Sequence, residues 1–230
     1  MESINLRDEQ LSVSQRDIIE HTAKYVQEVL SKDCSGHDWW HTCRVWKNAI
    51  RIGLNEQVDM FIVQLAAILH DVADYKFHGG DSSVGPAMAR EWLISQHVDE
   101  DVIEKVCEII THVPFQGANV QASIMGTAEG RVVQDADRLD SIGALGIARV
   151  FAYAGAKGRL MYDPNIKPMK YSSFEMYKTN NSSAINHFYE KLLLVTDLLN
   201  TDTAKNIAFG RHDFMKAFLD RFLAEWNGEA

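Results

Sequence analysis

The stretch VDMFIVQLAAILHDVAD, residues 58–74, decides how this chain is read. From Met60 to Leu69 it is apolar nearly all round, with Gln64 the one interruption. A surface helix shows an apolar stripe and a polar face, whereas a helix apolar on every side is buried. The stretch therefore reads as a central helix with other helices packed around it. It ends in an adjacent imidazole and carboxylate, His70 and Asp71, and Asp74 and Lys76 follow closely. Burying Asp71 without a partner would cost several kcal/mol. A cation that engages both groups removes that cost. Neighbouring side chains within a helix diverge by about 100°, so only a helix end, where the backbone turns, can aim both at one ion.

Outward from this segment, helical periodicity continues. RDIIEHTAKYVQEVLSK (16–32) carries a broad stripe of Ile18, Ile19, Tyr25, Val26, Val29 and Leu30. DWWHTCRVWKNAIRIG (38–53) has Asp38 placed as an N-cap and Gly53 as a stop. Further helices fit VGPAMAREWLISQH (84–97) and DEDVIEKVCEIITH (99–112). EGRVVQDADRLDSIGALGIARVFAYAG (129–155) is a long helical reach with a break expected near Gly143. SAINHFYEKLLLVTDLLN (183–200) and TDTAKNIAFGRHDFMKAFLDRFLAEW (201–226) complete the set. No segment alternates cleanly, and there is no Asn-Gly or Asp-Gly hairpin signal. The connections fall at 76–85, 113–127 and 156–182. The expected fold class is all-α, one domain of about eight or nine helices spanning residues 1–230.

Composition narrows the function. The 230 residues are 46% hydrophobic and 24% charged, with a formal net charge of −9. An acidic surface speaks against binding a nucleic-acid backbone, but not against a small phosphorylated substrate held in a locally positive pocket. Three cysteines, Cys34, Cys43 and Cys107, without a CxxC pair, suit reduced thiols in the cytoplasm. The polar N-terminus MESINLRDEQ is no signal peptide, and no apolar run approaches the ~20 residues of a membrane helix. No membrane partner is expected. A homodimer is left open.

Two ligands rarely hold a metal, so other His and Asp residues in apolar settings are the next candidates. His41 lies in DWWHTCRV at a helix start. DADRLD offers Asp135, Asp137 and Asp140, of which Asp137 and Asp140 share a face at i, i+3. Any one of these also reads as part of a solvated helix face. Together they supply two imidazoles and two carboxylates. That mixed nitrogen and oxygen set suits Mn²⁺, Fe²⁺, Co²⁺ or Ni²⁺ in six-coordinate geometry, ahead of Mg²⁺ or Zn²⁺.

HTCRV, AAILHDVAD and DADRLD, in that order, resemble the HD superfamily of metal-dependent phosphohydrolases. His41 precedes His70 by 29 residues, and Asp71 precedes Asp137 by 66. NSSAINHFYEKLLLV looks like a bacterial subgroup of HD hydrolases. The resemblance implies one HD-type domain, with a metal-site core at about 20–155 and C-terminal helices 183–227 packed on it. It makes His41, His70, Asp71 and Asp137 the metal ligands, with Asp135 as the rival for the last place. The implied substrate is a small phosphorylated metabolite, most readily a nucleotide, cleaved at a monoester or a pyrophosphate by metal-activated water. Asp74 then orients that water or acts as general acid/base, and Arg44 and Lys76 serve the phosphate oxygens. Arg138, His112 and Lys191 are expected to line the substrate. Two alternatives carry their own signatures. A di-iron oxygenase would recruit His112 and further ligands to a second ion, and a non-catalytic nucleotide sensor would lack ligands.

Overall fold

A computed structural model describes residues 11–32, 38–73, 81, 83–113, 125–169 and 182–230. Among these residues there are nine α-helices and no strand, as the periodicity implies. They are α1 (Val13–Val29), α2 (Trp39–Gly53), α3 (Met60–Leu69), α4 (Val84–Ser95), α5 (Glu100–His112), α6 (Ala128–Asp140), α7 (Gly143–Ala156), α8 (Ala184–Glu190) and α9 (Asp202–Trp226). Short 3-10 segments follow α1 (Leu30–Lys32) and α8 (Leu192–Leu198). No helix among the described residues is long and apolar enough to cross a membrane.

The described residues fall into two compact units. The first runs through to Asp137 and the second begins at Arg138. Helix α3 is the axis of the first unit. All ten of its residues are buried, and α1, α2 and α5 pack around it. Its start is fixed by Asp59, whose carboxylate accepts from the backbone N–H of Phe61 (2.9 Å) and Ile62 (3.4 Å). These are two of the donors a helix N-terminus leaves unsatisfied. The Asp59 N–H in turn donates to Glu129 Oε1 on α6 at 3.0 Å.

Two element boundaries differ from the periodicity, each for a local reason. Helix α1 begins at Val13, three residues before the segment 16–32 that the apolar stripe marks. Ser12 and Gln15 form a capping box there, each side chain bonded to the other's backbone N–H. The segment 183–200 is not one helix. After α8 the chain tightens into a 3-10 run in which the buried residues Leu192 and Val195 lie three apart, one turn of that helix.

In the second unit an aromatic cluster of Phe151, Phe188, Phe218 and Phe222 joins α7, α8 and α9. The corner between α6 and α7 rests on two glycines. Gly143 has φ +80°, a conformation that suits glycine. A Cβ at Gly146 would lie 2.2 Å from the Ser141 carbonyl oxygen, so no side chain fits there. The break expected near Gly143 is thus a built corner.

Candidate metal centre

Helix α2 delivers His41. Asp38 caps that helix by accepting from the His41 N–H at 2.9 Å, which fixes the first turn and the ring mounted on it. Helix α3 ends at Leu69, and the Val72 N–H reaches back to the Leu69 carbonyl at 3.1 Å. The tighter i→i+3 spacing redirects the backbone, so His70 and Asp71 converge instead of diverging. Helix α6 brings Asp137 from the side.

The four groups meet. His41 Nε2 lies 3.4 Å from Asp71 Oδ2 and 3.4 Å from Asp137 Oδ1. His70 Nε2 lies 3.3 Å from Asp71 Oδ2. The two rings are edge to face, with centroids 5.4 Å apart. Ligand atoms of His41, His70 and Asp71 all fall within 4.8 Å of one another, and Asp137 joins through His41. Donors at about 2.1 Å from an octahedral ion are about 3.0 Å apart when adjacent and about 4.2 Å when opposite. The observed separations are long for good hydrogen bonds and fall in the range that a shared ion produces.

The tautomer supports the fit. His70 Nδ1 sits 2.9 Å from the Ala67 carbonyl oxygen, which can only accept, so Nδ1 carries the proton. In a neutral ring that leaves the Nε2 lone pair directed at the cluster, the arrangement in which a backbone carbonyl orients a metal-binding histidine. His70 Nε2 is buried and makes no well-formed hydrogen bond. The imidazoles form the floor, their side chains 1% and 2% exposed, while Asp71 and Asp137 at 17% and 25% form a rim open to water.

The electrostatics favour a cation. Burial works to lower the His70 pKa, yet the Asp71 carboxylate, reinforced by Asp137, outweighs it and holds the value above that of an ordinary histidine. Burial would raise the Asp137 pKa, but His41, with His70 behind it, outweighs burial and lowers it. The raised His70 value reflects the negative potential that Asp71 and Asp137 place at its ring.

The other residues singled out in the sequence lie as follows. Arg44 is half-buried on α2, one turn beyond His41. His112 is exposed at the end of α5, with its Nδ1 donating to the Glu108 carbonyl at 2.8 Å. Arg138 is buried and donates to the Leu198 carbonyl in the second unit. Lys191 follows α8, where it and Arg159 add to burial in pushing His187 down to about 3. Of the remaining carboxylates of DADRLD, Asp135 is fully buried. Asp140 is also buried and is paired with Arg149 at 2.6 Å. Asp74, Lys76 and Cys34 lie outside the described residues.

Residues 39–142 match the family model for the HD domain. Across 200 residues the chain is 38% identical to the protein YpgQ of Bacillus subtilis (strain 168), covering 87% of this chain and 89% of that one. The chain belongs to the HD superfamily. Solved structures agree. An HD-superfamily hydrolase from Bacillus thuringiensis is 43% identical, covering 93% of this chain and 98% of its own, with a TM-score of 0.74. The structure of B. subtilis YpgQ in complex with ADP is 36% identical, covering 92% and 96%, with a TM-score of 0.72. An HD-superfamily hydrolase fold with a divalent-metal site is therefore the frame for this chain, and the cluster of His41, His70 and Asp71 is compatible with such a site.

Proposed function

We propose that this HD hydrolase cleaves a phosphate ester or anhydride of a nucleotide, using one divalent ion held by His41, His70, Asp71 and Asp137. The observation that carries the reading is the convergence of two buried imidazole nitrogens on two rim carboxylates, at separations of 3.3–3.4 Å. A divalent ion in such a set supplies a water of lowered pKa and an electrophile for a phosphoryl oxygen.

The protein's own groups do the rest. In its neutral form His70 is held in one tautomer by the Ala67 carbonyl, which leaves the Nε2 lone pair facing the cluster. The buried floor directs access to the rim, where Asp71 and Asp137 meet solvent. Arg44, one turn from His41, is the cation assigned to the substrate's phosphate oxygens, because a guanidinium can engage two of them at once. Asp74 and Lys76 follow the His-Asp pair in sequence. We assign Asp74 to orienting the attacking water or exchanging its proton, and Lys76 to the developing negative charge. His112, in the same unit as the metal cluster, is assigned to substrate contact. The ADP bound to the YpgQ relative favours a nucleotide as substrate.

The test is a phosphate-release screen over nucleoside mono-, di- and triphosphates with Mn²⁺, Fe²⁺, Co²⁺, Ni²⁺, Mg²⁺ and Zn²⁺. The proposal expects turnover of at least one class with a transition metal, and a loss of turnover in Asp74→Asn with metal binding retained. Absence of release from every nucleotide, with metal bound, would remove the nucleotide assignment.

A further inference from the structure

Helix α6 carries Asp137 and then ends within one turn, and that last turn is held by three arginines. Arg149 on α7 donates to the Asp140 carboxylate at 2.6 Å and also reaches the Asp140 carbonyl at 3.4 Å. Arg211 on α9 donates to the Leu139 carbonyl. Arg138 itself donates to the Leu198 carbonyl. Ser141 Oγ donates to the Arg138 carbonyl at 2.6 Å. The last carbonyls of a helix have no partner inside it, and cations are favourable there. Here guanidinium groups occupy that end. The glycine corner makes room for one of them, since a Cβ on Gly143 would sit 3.0 Å from the Arg211 stem.

Asp140 lies one turn below Asp137 on the same face of α6. Its exposure is 1%, so its charge must be answered by protein. We infer that Arg149, acting through Asp140, is a positioning residue that sets the pitch of the last turn of α6 and so aims Asp137 at His41. Arg211 supports it at the neighbouring carbonyl. This rests on Asp137 being a metal ligand, as proposed above. Metal affinity would then depend on residues of the second unit that touch neither metal nor substrate, by way of one continuous helix.

The alternative to positioning is simple field electrostatics, and the two differ in sign. Removing a cation near an ion site should tighten metal binding if charge alone matters. Removing a positioning residue should weaken it, as changes behind a ligand commonly do by about 10–100-fold.

Mn²⁺ affinity of the full chain, measured by calorimetric titration beside circular dichroism, decides between them. Arg149→Met should weaken Mn²⁺ binding at least about tenfold, and Arg149→Lys should recover part of the loss. Arg149→Met combined with Asp140→Asn should bind more tightly than Arg149→Met alone, because the buried charge left behind is gone. Arg221→Ala, which breaks an exposed pair with Glu225 on α9, should bind like wild type. Should Arg149→Met fail to fold, Arg149→Lys and Arg149→Gln carry the same comparison, with weakening greater for Gln. Unchanged or tighter binding in the folded Arg149 variants overturns the inference. If wild type binds no Mn²⁺, or Asp71→Ala binds as well as wild type, it is the metal reading itself that fails. Loss in Asp71→Ala with no loss in Arg149→Met sinks only the positioning role.

Discussion

The two helices that bring carboxylates to the centre, α3 and α6, are mounted in opposite ways. Helix α3 is gripped along its whole length by apolar contacts. Its polar fixtures include the N-cap Asp59 and Gln64, which accepts from Trp46 Nε1 at 3.0 Å, and it releases His70 and Asp71 where the backbone tightens. Helix α6 is gripped at its C-terminal end by guanidinium groups on carbonyls and on Asp140. Within α6 the contrast repeats between two residues of one type. Asp140 has its charge answered by Arg149, whereas Asp137 faces an imidazole across 3.4 Å. A buried carboxylate with a protein cation is structural. One that faces His41, itself beside Asp71, is compatible with a shared metal ion.

Breaking each mount in turn tests this contrast. The largest effect should come from the apolar one. Leu65→Ala removes a fully buried side chain from the middle of α3 and should cost about 3–5 kcal/mol in chemical denaturation. Next comes the polar mount. Arg149→Ala removes the guanidinium paired with the buried Asp140, with an expected loss of about 3 kcal/mol, reduced from the fully buried case because Arg149 is 31% exposed. A loss under about 1 kcal/mol would mean the clamp is not structural. Gly146→Ala at the corner should cost about 1–3 kcal/mol, since its Cβ would overlap the Ser141 carbonyl oxygen.

A smaller, pH-dependent effect belongs to the second unit. His187 is held to about 3 by burial, then by Lys191 and Arg159. Its folded pKa lies below the unfolded value of about 6.5, so the unfolded chain binds the extra proton between those limits. Stability therefore falls as pH drops below about 6.5, by up to about 1.4 kcal/mol per pH unit. His187→Gln should flatten that slope in denaturation curves taken at pH 7 and pH 5. The smallest effect is expected at the start of α3, where Asp59→Ala removes the cap of a helix already held by its core, for about 1 kcal/mol.

Much of this was legible in the sequence, and the reason differs by feature. The buried axis, the Asp38 cap and the break near Gly143 follow from periodicity and from residues with strong local preferences. The His70–Asp71 pair was legible because a polar pair ending an apolar helix has few explanations. The sequence left Asp135 as a rival to Asp137. Only geometry shows Asp137 facing His41 and Asp140 facing Arg149. That second pairing spans nine residues and a corner, so no helical repeat announces it. The capping box at Ser12 and Gln15 was readable as SVSQ, but it lies ahead of the apolar stripe that drew the first boundary. The 3-10 run at Leu192–Leu198 was hidden because three consecutive leucines fit an α-helix equally well.

The most direct test of the central claim pairs metal content with turnover in wild type and Asp71→Ala. Wild type should bind about one Mn²⁺ per chain, the number its four ligands can enclose, and release phosphate from a nucleotide. Asp71→Ala, folded by circular dichroism, should do neither. Asp71→Ala that retained wild-type metal content and phosphate release would contradict the account.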